Sequence, residues 1–429
     1  MGIFGPRREP GEPHPRREPR YPGPLTLAGV EEIFRDCVDF TKRPVAIEGG
    51  PALTLCYLSG MVKMERVSDY VLRPLAQDSS LAGCADMGAL MKKMEDGALY
   101  NLSAAERTTL DQAAFDLVSG WCLLFFPGES AVLSFFTGTE EKRSISAPSN
   151  ETVLKGARDA FVESLRTNTS IVRRHIKAPE LRIREQTVGR QSATLVDILY
   201  IEGLTDPALV NRVAGRLADI DIDAVLATGN IEEYIVPAQR TPFPLLQYTE
   251  RSDRFCAGLA EGRVGILIDG LPLGYLAPGV LGDFLRAPQD KSESWMLATV
   301  LTLLRYTCML LTLLLPALYV AMVTFHQEMI PTKLALSIIA AKQDVPFRSA
   351  FEVIVLLLAF EILQEAGLRL PQSIGQTVSI IGGLVVGSAA VEAKIVSPAV
   401  LIVVAVAGIA GYTMPSQELG GALRIWRFV

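Results

Sequence analysis

Apolar and polar positions change their rhythm along this chain, and the changes mark out its elements. The stretch Leu55-Cys-Tyr-Leu-Ser-Gly-Met61 is apolar and β-prone, and a helical pattern follows it to Leu75. Ile198-Leu-Tyr-Ile-Glu-Gly-Leu204 repeats the arrangement. Asp206-Pro207 then opens a helix to about Leu217, with proline in the first turn. Each unit ends in a hairpin. The first pairs Trp121–Phe126 with Ala131–Phe136 across Pro127-Gly128-Glu129; the second pairs Arg263–Ile268 with Leu273–Leu276 across Asp269-Gly270. Glycine in those turns supplies the positive φ that a chain reversal needs. The pattern predicts an α/β domain of two similar subdomains with mixed sheets, 25–145 and 146–285. The second has a leading helical segment, and the junction falls near Glu140–Asn150. A single larger sheet is the alternative.

After a polar linker, Arg286–Ser294, the rhythm turns continuously apolar. Uncharged runs cover Tyr306–Phe325, Pro371–Val391 and Ile395–Gln417. Each is long enough to cross a bilayer of roughly 30 Å at about 1.5 Å per residue. Residues 286–429 are thus expected to form an α-helical polytopic membrane domain. Span one runs from about Met296 to Phe325, with Arg305 and Pro316 inside it. Met329–Lys342 is short and amphipathic, an interfacial or re-entrant helix. Span two is Pro346–Gly367, span three Pro371–Val391 and span four about Val396–Met414. Gln417–Val429 begins another helix. Residues 1–24 hold the repeated Pro6-Arg-Arg-Glu-Pro10 and Pro15-Arg-Arg-Glu-Pro19 and almost no apolar groups, so they read as a disordered Pro/Arg tail, solvated or touching anionic headgroups.

Charge sharpens the division. From Trp295 to Val429 there are 8 Lys/Arg and 7 Asp/Glu, against 33 and 40 in the 294 residues before. The two parts have different solvents, which rules out an ordinary soluble enzyme. The net charge of −6 argues against a nucleic-acid binder. The 6 cysteines form no C-x-x-C pair and read as reduced, buried thiols. No signal peptide precedes the long N-terminal part, which points to the cytoplasm. Lys/Arg counts in the loops are too even to fix membrane orientation. No P-loop, zinc-protease helix or nucleophile elbow is present, so no catalytic residue, metal ligand or cofactor site is assigned. Gly258, Gly262, Gly265 and Gly270 surround a hairpin and read as turn glycines, and His14, His175 and His326 lie far apart in the sequence.

Three constellations could carry function. Glu361 and Glu365 are four apart in span two, with Gln364 beside them, so they share a helix face. Ionised groups there cost roughly 2.5–3.5 kcal/mol at mid-membrane and should face protein or water. They belong to an ion path, or else Glu365 is interfacial and Glu361 sits in a structural pair. Glu352 lies on the opposite side and should meet Arg305 or Arg348. In span three, Gly383 and Gly387, with Ser379 nearby, form a small-residue face for helix packing within one subunit or between subunits. Finally, Arg166, Arg173, Arg174, His175, Lys177, Arg182 and Arg184 make either a phosphate- or headgroup-binding surface or a helix face meeting neighbouring acids.

Several stretches together resemble the GerA family of spore germination proteins, the A subunits of nutrient germinant receptors. They are Lys155-Gly-Ala-Arg-Asp-Ala-Phe-Val-Glu163, Ser170–Lys177, Leu199-Tyr-Ile-Glu-Gly203, Leu315-Pro-Ala-Leu-Tyr-Val320, Thr324-Phe-His-Gln-Glu-Met-Ile-Pro-Thr332, Phe360-Glu-Ile-Leu-Gln-Glu-Ala-Gly367 and Pro371–Gly387. The resemblance implies a cytoplasmic N-terminal domain on the spore core side and a polytopic domain in the spore inner membrane. It implies a transporter-like B subunit and a lipoprotein C subunit as partners, and assembly into a homo-oligomer acting as a ligand-gated ion channel. A non-conducting scaffold that organises nutrient-sensing partners is the alternative. The Pro/Arg tail is not part of the family pattern, and the chain stops where relatives usually continue, which reads as a C-terminal truncation.

Overall fold

The computed structural model describes residues 20–47, 52–77, 86–98, 103–138, 159–225, 228–236, 241–369 and 387–428. The Pro/Arg repeats, the Glu140–Asn150 junction and most of span three lie outside the described residues. Two compact units form, one of residues 20–235 and 248–277, the other of 236–247 and 278–428.

The first unit runs α1 (Leu27–Ile33), β1 (Phe40–Val45), β2 (Leu53–Leu58), then a helical stretch of α2 (Met64–Val67), a π-helical turn Ser68–Leu72, α3 (Arg73–Gln77) and α4 (Met87–Lys93). It continues through β3 (Ala104–Arg107), α5 (Leu110–Val118), β4 (Trp121–Phe125) and β5 (Val132–Phe136). Its second half runs α6 (Leu165–His175), β6 (Leu181–Val188), β7 (Thr194–Ile201), α7 (Pro207–Ala218), α8 (Thr228–Ile235), β8 (Gln247–Thr249), α9 (Ser252–Ala260), β9 (Val264–Ile268) and β10 (Gly274–Ala277). The strand orders are β1-β2-β4-β5-β3 and β6-β7-β9-β10-β8, one connectivity used twice.

The glycine that follows the last helix of each half marks the same repeat at atomic scale. Gly120, after α5, has φ +87°, and a Cβ there would lie 3.0 Å from the Met61 carbonyl oxygen. Gly262, after α9, has φ +86° and would meet the Leu204 carbonyl oxygen at 3.1 Å. Met61 and Leu204 end the two repeated apolar stretches, so each glycine is needed both for its backbone angle and for a close approach. Thr109 and Asp206 cap α5 and α7 by accepting from the backbone N–H of Gln112 and Ala208.

Both sheets have antiparallel neighbours, as hairpins dictate: β1 with β2, β2 with β4, β4 with β5, and β3 with β5, then β6 with β7, β7 with β9 and β9 with β10. This corrects the mixed sheets expected from the sequence. Helices cover both faces of the first sheet, so β2 buries residues of both parities. Leu53, Leu55 and Tyr57 join one core with Leu90 and Met94, and Cys56 and Leu58 join another with Ala113 and Leu117. Continuous apolar runs are therefore no sign of parallel pairing here. In the second sheet Leu181, Ile183, Leu199 and Leu267 pack on Val172, Phe255 and Leu259.

Cys37, Cys56, Cys122 and Cys256 are buried free thiols. Burial pushes Cys56, Cys122 and Cys256 up to about 12. Cys84 lies outside the described residues.

One buried acid makes the stability of this unit depend on pH. Asp197 on β7 is fully buried, and burial raises its carboxyl from 3.8 to about 6, against the lowering effect of the Thr169 hydroxyl and Arg166. Thr169 Oγ1 lies 2.9 Å from Asp197 Oδ2 and 3.0 Å from the Leu165 carbonyl oxygen. A protonated Asp197 donates to the hydroxyl, which then donates to Leu165. The folded state keeps a proton that the unfolded state has lost. This contribution is fully present below 3.8 and is lost as pH rises through about 6. It amounts to about 3 kcal/mol, taking ~1.36 kcal/mol per pKa unit. Asp197→Asn, which donates at every pH, flattens that dependence. Urea unfolding of the detergent-solubilised chain at pH 4.5 and 7, followed by Trp121 fluorescence in a Trp295→Phe, Trp426→Phe background, checks it.

The second unit is helical: α10 (Leu281–Leu285), a 3₁₀ turn Pro288–Ser292, α11 (Trp295–Thr324), a 3₁₀ turn Gln327–Met329, α12 (Thr332–Lys342), α13 (Ser349–Arg369), α14 (Gly387–Glu392), α15 (Pro398–Gly411) and α16 (Gln417–Trp426). Among the described residues, α11, at 30 residues, is the one helix long and apolar enough to cross a membrane. Helix α13 has 21 residues but carries Glu352, Glu361, Glu365 and Arg369. Helix α15 has 14 residues, about 21 Å, and falls short of a bilayer core alone. Their packing is intimate: Tyr319, Val353, Leu357, Val400 and Val404 share one core, and a Cβ on Gly408 would sit 2.6 Å from the Phe360 ring. Large apolar side chains remain outside it, among them Leu303, Ile362, Ile402 and Ile409, each at least 63% exposed.

Candidate functional site

Helix α13 has two sides. Ile354, Leu358 and Ile362, spaced by four, are exposed, whereas Val353 and Leu357 are buried against α15. Continuing the buried row by four and then three reaches Glu361 and Gln364. Their neighbours come from α16. The Glu361 carboxylate pairs with the Arg427 guanidinium and lies 3.6 Å from Arg424. Arg424 also donates to the Gln364 amide oxygen at 3.2 Å. The Arg427 side chain is 1% exposed and stands 5.9 Å over the Phe360 ring. Glu361 and Gln364 are thus brought together, with two arginines that the sequence reading left unassigned. Their signal was the spacing of Arg424 and Arg427 on a short amphipathic helix. Glu365, one turn on, is exposed at the margin of this cluster.

A second polar node sits at the start of the same helix. Glu352 is 1% exposed; one carboxylate oxygen accepts from the Ser397 N–H at 2.9 Å, and the other lies 3.3 Å from Lys342 Nζ. Ser397 is the N-cap of α15, where a helix dipole favours an anion. The expected partners were Arg305 or Arg348. Arg305 is instead engaged by Asp290 and the Leu285 carbonyl, because it lies near the start of α11, close in sequence to the linker's acid.

Gly387 opens α14, and a Cβ there would meet Leu401 Cδ1 of α15 at 3.4 Å. Ser379 and Gly383 lie outside the described residues.

The basic run of the first unit meets acids. Arg173, buried, makes two 2.9 Å bonds to the two carboxylate oxygens of Asp39 and a third, of 3.0 Å, to the Leu181 carbonyl. Burial works against its charge, but the attraction and hydrogen bonds of Asp39, with those of Cys37, raise its pKa overall. Arg182 pairs with Glu202, Arg184 with Asp36 and Arg166 with Glu185. Burial tends to raise the Glu202 pKa, but its bonds to Arg182 and Arg35 bring it down. His175 lies 3.1 Å from Ser252 Oγ and 3.7 Å from Asp159, but both contacts use Nε2, so the ring cannot relay a proton between them. Among the described residues no group of His, Cys, Asp and Glu could hold a metal ion.

Comparison with known proteins places this sequence in a family. Residues 28–429 match the model described as Bacillus/Clostridium GerA spore germination protein. Spore germination protein KA of Bacillus subtilis is 38% identical over 377 residues, covering 88% of this chain and 69% of that one. Spore germination protein GerLA of Bacillus cereus is 35% identical over 394 residues, covering 91% and 79%. The uncharacterized membrane protein YfkQ of B. subtilis is 38% identical over 402 residues, covering 94% and 77%. The crystal structure of the N-terminal domain of the A subunit of the Bacillus megaterium spore germinant receptor GerK3 aligns at TM-score 0.47 and 31% identity, over 59% of this chain and 94% of that one. The chain belongs to the GerA family of spore germination proteins.

Proposed function

We propose that this chain is the A-type membrane subunit of a spore germinant receptor, and that its copies assemble and pass the nutrient signal on by opening an ion path. The family match over residues 28–429 carries this reading. In it, the second unit lies in the spore inner membrane and the first faces the spore core. A transporter-like B subunit and a lipoprotein C subunit complete the receptor. Helix α11 and the exposed apolar side chains of α13 and α15 are the lipid-facing surface. Glu361, Gln364 and Glu365 are the polar residues of the path, attracting cations. The deciding experiment compares potassium release from spores that carry or lack this chain, on exposure to their germinant. Equal release in both would end the reading.

A second reading has its own support: the pairing of Glu361 with Arg424 and Arg427 suits a scaffold whose acids lock helices together and conduct nothing.

The small-residue face of Gly383 and Gly387, with Ser379, is proposed as a contact between subunits. Gly387→Leu then lowers the oligomer's mass in sedimentation, while Gly387→Ala, adding one methyl at ordinary contact distance from Leu401, leaves it unchanged. An unchanged mass for Gly387→Leu assigns the face to packing within one chain.

A further inference from the structure

The segment from the end of α11 to the start of α13 encloses a groove of about 420 Å³. That lies within the range of roughly 300–1,000 Å³ typical of ligand sites. Its lining mixes apolar Val323, Ile338 and Ile339 with polar and charged Gln327, Lys342 and Arg348. Lys342 is a half-engaged cation. Its ammonium bonds Ser349 Oγ and faces Glu352 at 3.3 Å, which leaves one of three donors for the groove. Arg348 is exposed and makes no side-chain hydrogen bond or ion pair among the described residues, so its planar fork is open. The groove begins at Val323 and Thr324, the last residues of the apolar α11, where a spanning helix would meet the headgroup layer.

We propose that this groove binds one anionic phospholipid. The phosphate sits between Arg348 and the free donor of Lys342, with the Gln327 amide beside it, and the first part of an acyl chain lies along Ile338, Ile339 and Val323. Basic groups and hydrocarbon side chains lining one groove suit a molecule that joins an anionic head to an acyl chain, rather than inorganic phosphate or a neutral lipid. The site couples α12 to α13 through the ligand, so it reports the charge of the surrounding bilayer to the helix that carries Glu352 and Glu361.

The proposal rests on the membrane reading of the second unit, and two measurements keep them apart. Sedimentation with membranes after alkaline carbonate washing tests the membrane reading alone. For the groove, the full chain in neutral detergent is titrated with phosphatidylglycerol, phosphatidylcholine and inorganic phosphate, and bound molecules are counted by native mass spectrometry. Phosphatidylglycerol should bind at one saturable site and the other two should not. Arg348→Gln should weaken it about five-fold, the loss expected for one basic residue against an anionic lipid. Ala335→Trp, which fills the groove without changing charge, should abolish the site. Equal binding of phosphatidylcholine, or phosphatidylglycerol binding indifferent to both variants, overturns the proposal. Saturable phosphate binding of equal strength would reassign the site to a free anion.

Discussion

Asp39→Ala should cost the first unit about 3–5 kcal/mol, the usual penalty for stranding one member of a buried ion pair. Arg173 is 0% exposed, and Asp39 supplies both oxygens of its bidentate partner. Without the carboxylate, the guanidinium keeps only the Leu181 carbonyl and a weak contact to sulfur. For a unit of this size each kcal/mol moves the midpoint by about 2–4 °C, so thermal unfolding should shift by roughly 6–20 °C. Removing both charges is a different experiment. Asp39→Leu with Arg173→Met replaces the pair by apolar volume and should recover most of the loss. A single variant within 1 kcal/mol of the parent in urea unfolding would show that water reaches the pair.

Glu361→Gln should release α16. The change leaves Arg427, 1% exposed, without its counter-charge, and leaves Arg424 with the Gln364 oxygen alone. The same penalty of roughly 3–5 kcal/mol falls here on a ten-residue helix held otherwise by Leu419 and Leu423 against Phe284 and Leu285. Trypsin cleavage after Arg424 and Arg427 should become at least ten-fold faster. The double variant Glu361→Gln with Arg427→Gln restores packing by removing the stranded charge, and its conductance separates the two functional readings. Under the ion-path reading the double variant stays resistant to trypsin yet carries a reduced cation flux. Full flux in that variant assigns Glu361 to the helix contact and favours the scaffold.

The repeat in the first unit was legible because it is written in local chemistry. Leu55–Met61 and Ile198–Leu204 look alike, and Asp206-Pro207 is a helix start that needs no tertiary context. Pairing direction was not legible, since helices on both faces of a sheet erase the alternation that would have revealed it. The ion pairs were half legible. The run Arg166 to Arg184 allowed a surface meeting acids, but Asp36 and Asp39 are more than 130 residues away in sequence. No local pattern chooses them over Asp and Glu elsewhere. On α13, spacing alone put Glu361, Gln364 and Glu365 on one face. The packing of α16 brought its two arginines to the first two, and the third is exposed at the margin.

The segment Asp36–Val38 adds itself to β6: Val38 N–H donates to the Ile183 carbonyl at 3.0 Å, and Ile183 N–H donates to the Asp36 carbonyl at 3.3 Å. Strand β6 ends its sheet, so this short bridge occupies hydrogen-bonding groups that an outermost strand would otherwise offer to any passing chain. The consequence concerns how the protein can be dissected. A fragment beginning after residue 145 loses the bridge and the carboxylate of Asp39 together. It exposes an open strand beside an uncompensated Arg173 and becomes a template for self-association. A fragment containing residues 20–277 keeps that margin closed.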